Sequence, residues 1–397
     1  KADHACRTCQ SRGAMAKLAG TATTRPVVII GAGIQGCATA FFLSQRGQPV
    51  IVLEKDHVGR HASGVNAGGV RRLGRDIAEI PLSVASMDWW NQIDQLLDID
   101  KGFHRQFYVK VALDDAGADL ASRRIQQLHT AGFQHETWVG RDQLLCRIPY
   151  LTKSVLGGVL VEGDGWALPW KITCAFHDKA VALGAEFRTP VKVTSIDKSG
   201  EHWQVTTDSG MIETDIVVNC AGAWGAQIAK MTGDILPIEA HAPMLVITDR
   251  QPMFLQSVVG VMGGTLSFKQ LDNGSMVIGG GKRGVADAAH NLTQIIPAGL
   301  SSFVMTAGRV FPHLRDVAIL RAWAGIDGYT KDNLPIIGNG SQVGIIHGFG
   351  FSAHGFQLGP AVGEALADLV MARQTRVNLT PFSPHRFAAS SDQASGY

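Results

Sequence analysis

The chain has 397 residues, of which 45% are hydrophobic and 18% are charged, and its formal net charge at pH 7 is +2. A chain of this length can bury a large core and is expected to form two or three domains, and its near-neutral charge gives no electrostatic basis for binding nucleic acid. No apolar run approaches the roughly 20 residues that cross a bilayer, so the composition favours a compact globular enzyme without a membrane span.

Residues 1–25 carry neither hydrophobic periodicity nor the apolar core of a secretory signal, and they are predicted to be a disordered or expression-derived leader. Cys37 and Cys220 lie in apolar segments, which favours a reducing cytosol over a disulfide framework and predicts a cytoplasmic location. Cys6 and Cys9 have the spacing of half a zinc site, but no second pair follows, so no metal site is predicted. The role of this pair and the origin of its segment stay open.

The first predicted elements form a strand, a glycine-rich turn, a helix and a second strand. The β-branched run Val27–Ile30 leads into Gly31-x-Gly33-x-x-Gly36, and after an Ala-rich stretch the run Val50–Leu53 ends at Glu54. In a dinucleotide-binding unit the first glycine permits the tight turn, the second lets the backbone approach a pyrophosphate, and the third lets the helix pack on the strand. The helix N-terminus attracts the phosphates, and the acidic residue accepts hydrogen bonds from a ribose. An ordinary tight turn is the alternative.

A second stretch rich in glycine and small residues follows at 59–72. Such a composition cannot build a core, but it lets the backbone come close to a flat or phosphorylated ligand. A plain surface loop is the alternative interpretation. Residues 78–97 are then predicted to form one amphipathic helix.

Beyond residue 103 the patterns predict alternating strands and helices. In chain order they are a strand at 107–113, a helix at 118–131, an extended stretch at 157–169, a helix at 170–183, strands at 191–197, 203–207, 215–224, 244–248, 266–270, 276–279, 319–325, 334–338 and 343–347, and a helix at 359–373. The buried strand at 215–224 ends in small residues, which is typical of a sheet edge that faces a ligand.

Six sequence motifs occur along the chain in an order that is typical of one family. They are Gly31-x-Gly33-x-x-Gly36 with Glu54, Ala62-Ser-Gly-x-Asn-Ala-Gly-Gly69, Gly157-Gly to Asp164-Gly165, Val217-Val-Asn-Cys-Ala-Gly-Ala-Trp224, Trp323-Ala-Gly to Pro335-Ile-Ile-Gly338, and Gly348-Phe-Gly-Phe-Ser-Ala-His-Gly-Phe-Gln-Leu-Gly-Pro360. Together they resemble the D-amino-acid-oxidase-like family of FAD enzymes, of the glycine- and sarcosine-oxidase type, over about 25–385.

The resemblance implies an α/β fold in which FAD lies extended on a Rossmann-like domain. A second, α+β domain with a mostly antiparallel sheet would cover the substrate face of the flavin ring. We expect a discontinuous FAD-binding domain that comprises 26–102, 151–232 and 316–385. The substrate or cap domain would comprise 103–150 and 233–315, and residues 386–397 would form a polar tail.

The resemblance also assigns cofactor contacts to the glycine-rich turns and the strand ends. Segments 62–69 and 349–358 should line the isoalloxazine, and residues 191–193 should run near the adenine. The expected FAD-binding residues are Gly31, Gly33, Ile34, Gln35, Gly36, Glu54, Lys55, His61, Ala62, Ser63, Asn66, Ala67, Gly68, Gly69, Val193, Ala221, Gly222, Trp224, Gly325, Gly350, Phe351, Ser352, His354, Gly355 and Gln357. No Cys follows Cys220, which excludes the thioether of monomeric sarcosine oxidases, and His61 is the one candidate for a histidine tether. Non-covalent FAD is the prediction.

The family chemistry is hydride transfer from a C–H beside an amine nitrogen to flavin N5, which gives an imine that water hydrolyses. In the glycine-oxidase branch an Arg after Trp-Ala-Gly clamps the substrate carboxylate, whereas this chain has Asp327 there, which would repel a carboxylate. Segments 323–329 and 350–360 look most like the β subunits of heteromeric dehydrogenases for sarcosine, proline, hydroxyproline or opines, whose partner subunits carry further redox centres. A self-contained oxidase that uses oxygen and a non-catalytic electron-transfer subunit are the alternatives.

Amine oxidation needs a cation for the substrate carboxylate and an acceptor for the amine, and a strong side-chain base is not obligatory. Arg71 and Arg72 follow segment 62–69, which we call the flavin loop. One of them is therefore the expected carboxylate-binding residue, with a pair of solvated charges as the alternative. His354 is expected to contact flavin or substrate, Lys269 corresponds by analogy to the lysine that promotes reaction with oxygen in oxidases, and Asp327 is expected to accept the amine or orient a water. The substrate, its stereochemistry and the electron acceptor stay open.

Overall fold

The computed structural model describes residues 25–390. The strands of this part of the chain are, in order, β1 (Val27–Ile30), β2 (Val50–Leu53), β3 (Gly69–Val70), β4 (His104–Ala112), β5 (Thr137–Gly140), β6 (Gly157–Trp166), β7 (Glu186–Arg188), β8 (Val193–Ser199), β9 (His202–Thr207), β10 (Gly210–Thr214), β11 (Val217–Asn219), β12 (Glu239–Arg250), β13 (Val258–Val261), β14 (Ser267–Gln270), β15 (Ser275–Asp287), β16 (Leu292–Gln294), β17 (Ile319–Ala324), β18 (Asp327–Tyr329), β19 (Ile336–Asn339) and β20 (Ile345–Phe349).

The α-helices of this part of the chain are between four and sixteen residues long. In order they are α1 (Ile34–Gln45), α2 (Ala62–Val65), α3 (Ile80–Trp90), α4 (Ile93–Leu97), α5 (Asp115–Thr130), α6 (Arg141–Arg147), α7 (Pro169–Ala182), α8 (Gly225–Met231), α9 (Pro297–Val310) and α10 (Gly355–Val370). No helix within 25–390 is long and apolar enough to cross a membrane.

The nucleotide-binding half is built on a six-stranded sheet in the order β19-β20-β11-β1-β2-β7. The strands from β20 to β7 run parallel, and β19 is antiparallel to β20. Continuous β-branched runs such as Val27–Ile30 are buried throughout, as expected for a parallel sheet that is covered on both faces. Helices α1 and α10 pack tightly together, and Gly363 allows this because a Cβ there would lie 2.5 Å from the Ala38 Cβ.

The second half is built on an eleven-stranded sheet in the order β17-β12-β15-β14-β13-β4-β6-β3, with β16, β18 and β5 attached beside this path. Its pairings are antiparallel except for β13 with β4. The predicted class, a Rossmann-like α/β half with a mostly antiparallel α+β half, is therefore confirmed.

Four strands, β3, β6, β17 and β18, lie in a different sheet from the one that the predicted boundaries imply. Gly157–Trp166 and Ile319–Ala324 were expected with the nucleotide-binding half, yet β6 pairs with β4 and β17 pairs with β12 in the second sheet. Most side chains of β6 are buried, so its sequence resembles a strand of a parallel sheet and gave no sign of the other partner. The division of the chain into domains stays a prediction.

The predicted single helix at 78–97 is interrupted. A 3-10 turn at Ile77–Glu79 precedes α3, and the chain breaks at Asn91 and Gln92 before α4. Pro81 lies in the first turn of α3, where its missing N–H leaves no helix hydrogen bond unmade. The break places Trp90 in the core against Phe356 of α10, with ring centroids 5.3 Å apart.

Candidate functional site

The glycine-rich turn after β1 is shaped by contacts that exclude side chains. Gly31 has a φ of 105°, and a Cβ there would lie 2.5 Å from the Cys220 carbonyl oxygen. A Cβ on Gly36 would lie 1.9 Å from the Gly31 carbonyl oxygen. The first turn of α1 contains no acidic residue, so its N-terminus keeps a positive field for phosphate oxygens.

Glu54 stands at the end of β2 beside this turn. Its carboxylate accepts hydrogen bonds from the Ala32 N–H at 2.8 Å and the Asp56 N–H at 2.9 Å. Burial raises the pKa of Glu54, and these two backbone donors act in the opposite direction. Each carboxylate oxygen can accept one more hydrogen bond, which suits the predicted contact with a ribose.

A cavity of about 400 Å³ runs from this turn to the segment before α10. It gathers residues from strand ends that are far apart in the sequence. The predicted cofactor residues that line it are Gly31, Gly33, Ile34, Gln35, Glu54, Lys55, His61, Ala62, Ser63, Asn66, Val193, Ala221, Gly222, Trp224, Phe351 and Gly355.

Other predicted cofactor residues do not line this cavity. They are Gly36, Ala67, Gly68, Gly69, Gly325, Gly350, Ser352, His354 and Gln357. The sequence reasoning did not select several residues that do line the cavity, among them Arg60, Thr194, Gln227 and Met231. Gln227 and Met231 lie on α8, one helical turn apart, and that spacing after the small-residue strand end was the available signal.

The flavin loop, which begins with α2, is held by the hydrogen bonds of one side chain. Asn66 Nδ2 donates to the carbonyls of Ala62 and Ser63 at 2.8 and 3.1 Å, and its Oδ1 accepts from the Gly68 N–H at 2.7 Å. Trp323 Nε1 donates to the Val65 carbonyl at 2.8 Å, which joins the loop to β17 of the second sheet.

The tip of the β15–β16 hairpin touches the nucleotide-binding half beside the cavity. Lys55 Nζ donates to Asn291 Oδ1 at 2.7 Å and lies 4.0 Å from the Trp224 ring centroid. Trp224 Nε1 donates to the Ala288 carbonyl at 2.8 Å. His61 Nε2 lies 2.8 Å from an Asp56 carboxylate oxygen, and burial lowers the pKa of His61 to about 4. We call these contacts the hairpin clasp.

The two candidate arginines have different surroundings. Arg72 Nε donates to Asp164 Oδ1 at 2.9 Å, and its Nη2 donates to the Glu162 carbonyl at 2.5 Å. Asp164 is fully buried and also accepts from the backbone N–H groups of Arg72 and Leu73. Arg72 therefore fastens its segment to β6, and neither Arg72 nor Arg71 is among the residues that line the cavity.

Arg71 extends in another direction and has no carboxylate partner within residues 25–390. Its Nη1 donates to the Leu73 carbonyl, and its guanidinium carbon lies 6.0 Å from the Tyr108 ring centroid on β4. Tyr108 is next to the flavin loop, since a Cβ on Gly69 would lie 3.7 Å from the edge of its ring. Of the two arginines, Arg71 is the one with a charge left for a ligand.

A buried cluster that sequence reasoning missed supports this region. Arg75 Nη2 donates to Gln357 Oε1 at 2.9 Å, and the Glu79 carboxylate lies 3.7 Å from Arg75 Nη1. Glu79 also lies 2.9 Å from His354 Nδ1. Burial would raise the pKa of Glu79, but the hydrogen bond from His354 and the charge of Arg75 keep it below its usual value.

His354 is neutral in this environment, because burial and the nearby Arg75 charge lower its pKa to about 4. A carboxylate can only accept, so the proton of the ring lies on Nδ1, toward Glu79. The other ring nitrogen, Nε2, is then a hydrogen-bond acceptor. This assigns to His354 a fixed tautomer that sequence alone could not give.

Lys269 lies against Gly68 of the flavin loop, and Asp327 lies in the cavity lining. Lys269 Nζ donates to the Ala167 carbonyl at 3.3 Å. A Cβ on Gly68 would lie 2.9 Å from Lys269 Nζ. Burial lowers the pKa of Lys269 to about 7. Asp327 lines the cavity and accepts from the N–H groups of Gly328 and Ala353 at 2.9 and 2.8 Å, and burial raises its pKa to about 6.

Asp327 thereby holds a strained turn. Ser352 and Ala353 have φ values of 50° and 67°, which non-glycine residues seldom adopt and which cost of order 1–3 kcal/mol each. The same turn presents Phe351 and Gly355 to the cavity. Strain of this kind is found where the surrounding structure imposes it, frequently at ligand sites.

The cavity also has the features that an FAD molecule requires. Gln35 Oε1 is buried at the start of α1 with no hydrogen-bond partner among the described residues. A Cβ on Gly33 would lie 2.8 Å from Ser63 Oγ, which accepts from the Ile34 N–H at 2.9 Å, so there is no room for a side chain at this position beside the helix N-terminus. No group of three or more metal-ligating side chains occurs within 25–390, and the Cys6 and Cys9 pair lies outside those residues.

The turn, the acidic strand end and the elongated cavity at the carboxyl edge of a parallel sheet define a dinucleotide-binding protein. The chain belongs to the FAD dependent oxidoreductase family known as DAO, whose sequence profile matches residues 26–369. It is thus an FAD-dependent oxidoreductase, and the predicted family and cofactor are confirmed.

Similar proteins include enzymes and subunits of several kinds. The beta subunit of the sarcosine oxidase of Rhizobium meliloti is 26% identical, with 91% of this chain and 88% of that protein covered. The solved L-proline dehydrogenase from P. horikoshii is 27% identical, with a TM-score of 0.85 and coverage of 93% of this chain and 99% of that one. The bifunctional protein ThiO/ThiG of Synechocystis is 26% identical, and the chain spans 55% of its length.

Proposed function

We propose that the chain oxidises a secondary amino acid or an opine at the C–H beside the nitrogen, as the catalytic β-type subunit of a heteromeric dehydrogenase. Bound FAD supplies the hydride acceptor, and water hydrolyses the imine product. Support comes from the names of similar proteins, the beta subunit of a sarcosine oxidase and an L-proline dehydrogenase. One subunit of the opine oxidase of Rhizobium meliloti is also 25% identical over 91% of the chain.

The observation that carries this proposal is Arg71. It is the arginine beside the flavin loop that has no carboxylate partner among the described residues, and it lies next to Tyr108. A guanidinium in this setting can bind a substrate carboxylate through two parallel hydrogen bonds. Arg71 therefore orients the substrate.

Two further residues act through neighbouring groups. Asp327 positions the turn at 351–355 through its two backbone hydrogen bonds. His354, held neutral with Nδ1 toward Glu79, offers Nε2 as an acceptor for an amine N–H. Neither residue needs to remove a proton in the hydride step, since the amine must be unprotonated before it reacts.

Lys269 favours a second candidate, the self-contained oxidase. Its Nζ lies against Gly68 of the flavin loop, and the burial that lowers its pKa to about 7 leaves much of it charged at neutral pH. A cation there stabilises negative charge that develops when oxygen accepts electrons. This second candidate has the same amine oxidation and a different electron acceptor.

One experiment tests both candidates. The FAD-loaded chain is mixed anaerobically with sarcosine, D- and L-proline, hydroxyproline and octopine, and flavin bleaching is recorded before and after oxygen is added. We expect at least one amine to bleach the flavin, and we expect Arg71→Met to raise the half-saturating concentration while Arg315→Met, at an exposed arginine, leaves it unchanged. Absence of bleaching by every amine would sink the proposed activity.

The electron acceptor is read from the second stage. Slow reoxidation by oxygen, together with co-purification of partner subunits that restore turnover with an artificial acceptor, supports the dehydrogenase. Fast reoxidation that Lys269→Met slows supports the oxidase. Fast reoxidation that Lys269→Met leaves unchanged contradicts the role given to this lysine.

A further inference from the structure

A second cavity, of about 360 Å³, lies outside the FAD cavity at the side of the second sheet. Its wall is formed by β4, by α5 and by the segment that follows β3. Its charged lining residues are three cations and one carboxylate, Lys110, Arg123, Arg124 and Glu136. A cavity with this excess of positive charge favours anions.

The one carboxylate of this cavity is already satisfied. Glu136 is buried, and its Oε1 accepts from the Gly74 N–H at 2.7 Å and from Arg124 Nη2 at 2.8 Å. Its Oε2 accepts from Arg124 Nε at 3.2 Å. Glu136 therefore neutralises Arg124, and the charges of Lys110 and Arg123 are left.

Lys110 has no hydrogen-bond or ion-pair partner among residues 25–390. Burial and the nearby Arg71 charge lower its pKa to about 8, so the ammonium is still mostly charged at neutral pH. An unpartnered charge in a half-buried position is unfavourable. A ligand anion would remove this cost.

Gly74 brings two cations to a common point. A Cβ on this residue would lie 2.8 Å from Lys110 Nζ and 3.7 Å from Arg71 Nη1. Like charges this close repel each other unless an anion lies between or beside them. Arg71 Nη1 thus lies beside Leu73 and Gly74, two residues that line the second cavity.

We propose that the second cavity binds a carboxylate, with Lys110 and Arg123 as its anion-binding residues. Resting on the proposed function, we take this group to be the far carboxylate of an amine that carries two, such as an N-carboxyalkyl amino acid. Arg71 then holds the carboxylate nearer the reacting nitrogen, and Lys110 holds the distant one. A separate small carboxylate that binds beside the substrate has the same chemistry and is distinguished by the test.

The first test measures anion binding and does not depend on turnover. Succinate and acetate are titrated calorimetrically into the FAD-loaded chain, its variants Lys110→Met and Arg123→Gln, and the control Lys153→Met at an exposed lysine outside the cavity. Loss of a charge-assisted hydrogen bond should weaken succinate binding by about tenfold or more in the two cavity variants. Equal binding in all four proteins, or no succinate binding at all, overturns the proposal.

The second test identifies the source of the carboxylate. Flavin reduction is measured with sarcosine and with iminodiacetate, which share the reacting CH–NH group but carry one and two carboxylates. If the distant carboxylate of the substrate binds here, Lys110→Met raises the half-saturating concentration of iminodiacetate and leaves that of sarcosine unchanged. If the variant weakens succinate binding and affects both amines alike, the ligand is a separate anion, and the substrate assignment is wrong.

These outcomes also separate the two proposals. If no amine bleaches the flavin but succinate binding depends on Lys110, the amine-oxidase function fails and the anion site remains. Lys110→Met removes an unpaired half-buried charge, so it should fold at least as well as the natural chain. Arg123 is exposed, and Arg123→Gln provides the independent variant if Lys110→Met is not obtained.

Discussion

Adjacent arginines with opposite roles provide a sharp test of the site. In the structure, Arg72 forms a salt bridge to the fully buried Asp164, whereas Arg71 has no carboxylate partner among the described residues. We expect Arg72→Met to destabilise the fold and to leave substrate saturation nearly unchanged. We expect Arg71→Met to do the reverse.

The loss of stability expected for Arg72→Met depends on the buried Asp164 carboxylate that the substitution leaves without its partner. Removing one partner of a buried ion pair costs about 3–5 kcal/mol. Arg72 retains partial exposure, 22% of its side chain, and Asp164 keeps the backbone N–H groups of residues 72 and 73 as donors. We therefore expect a loss of about 2–3 kcal/mol, because a hydrogen bond to a charged group accounts for roughly that much.

The assay is thermal unfolding of the FAD-loaded chain, followed by flavin fluorescence and by circular dichroism. For a chain of this size the unfolding entropy is about 0.8 kcal/mol/K, so a loss of about 2–3 kcal/mol lowers Tm by roughly 2–4 °C. Arg72→Lys keeps the charge but not the planar fork and should fall between the natural chain and Arg72→Met. An Arg72→Met protein with an unchanged Tm, or an Arg71→Met protein that is the less stable of the two, would refute the reasoning.

Three more predictions concern the cofactor and the turn. Gly36→Ala should yield protein without bound flavin, judged by its visible absorbance, because the new Cβ would lie 1.9 Å from a carbonyl oxygen, whereas Gly140→Ala, where no atom lies within 4 Å, should retain it. Glycine tolerates the φ of 58° at position 291, so Asn291→Gly removes the hydrogen bond to Lys55 in the hairpin clasp without straining the backbone. FAD should then dissociate about fivefold faster in stopped-flow fluorescence. An unchanged rate would contradict a role of the clasp in retaining FAD. Asp327 has a folded-state pKa of about 6 against about 4 when unfolded, so the folded chain binds more protons between these values and its stability should fall as pH rises from about 4 to 6. In urea titrations that slope should be smaller in Asp327→Asn, and an identical slope would speak against a buried, shifted carboxyl.

The sequence predicted those parts of the fold in which residues close together along the chain determine the structure. The unit from Val27 to Glu54 has its strand, turn, helix and strand within one short stretch, and each appears where it was expected. The strand β6 shows the limit. Its sequence indicated an extended segment, but the choice between two sheets depends on β4 and β5, the strands that pair with it.

The same distinction applies to the candidate site. Asn66 and Gly68 belong to a local motif, so their place in the flavin loop was accessible from the sequence. The contact of Glu79 with His354 joins residues 275 positions apart, and a glutamate in a helical pattern is ordinarily solvent-exposed. Nor could sequence rank Arg71 above Arg72, because the difference depends on Asp164 across the sheet.

The distribution of buried charge supports a working site between the flavin loop and the second sheet. Four of the buried ionisable groups among the described residues, Arg75, Glu79, Asp164 and Lys269, lie near this loop or the segment after it. Burying charge is costly, and an apolar replacement of a buried pair is often neutral or stabilising. The parallel sheet also buries one ionisable pair, His347 on β20 with Asp234, but its strand β1 is packed with Val and Ile alone. Ionisable groups with shifted pKa values cluster at functional sites, so the four groups near the flavin loop support the proposed substrate site there.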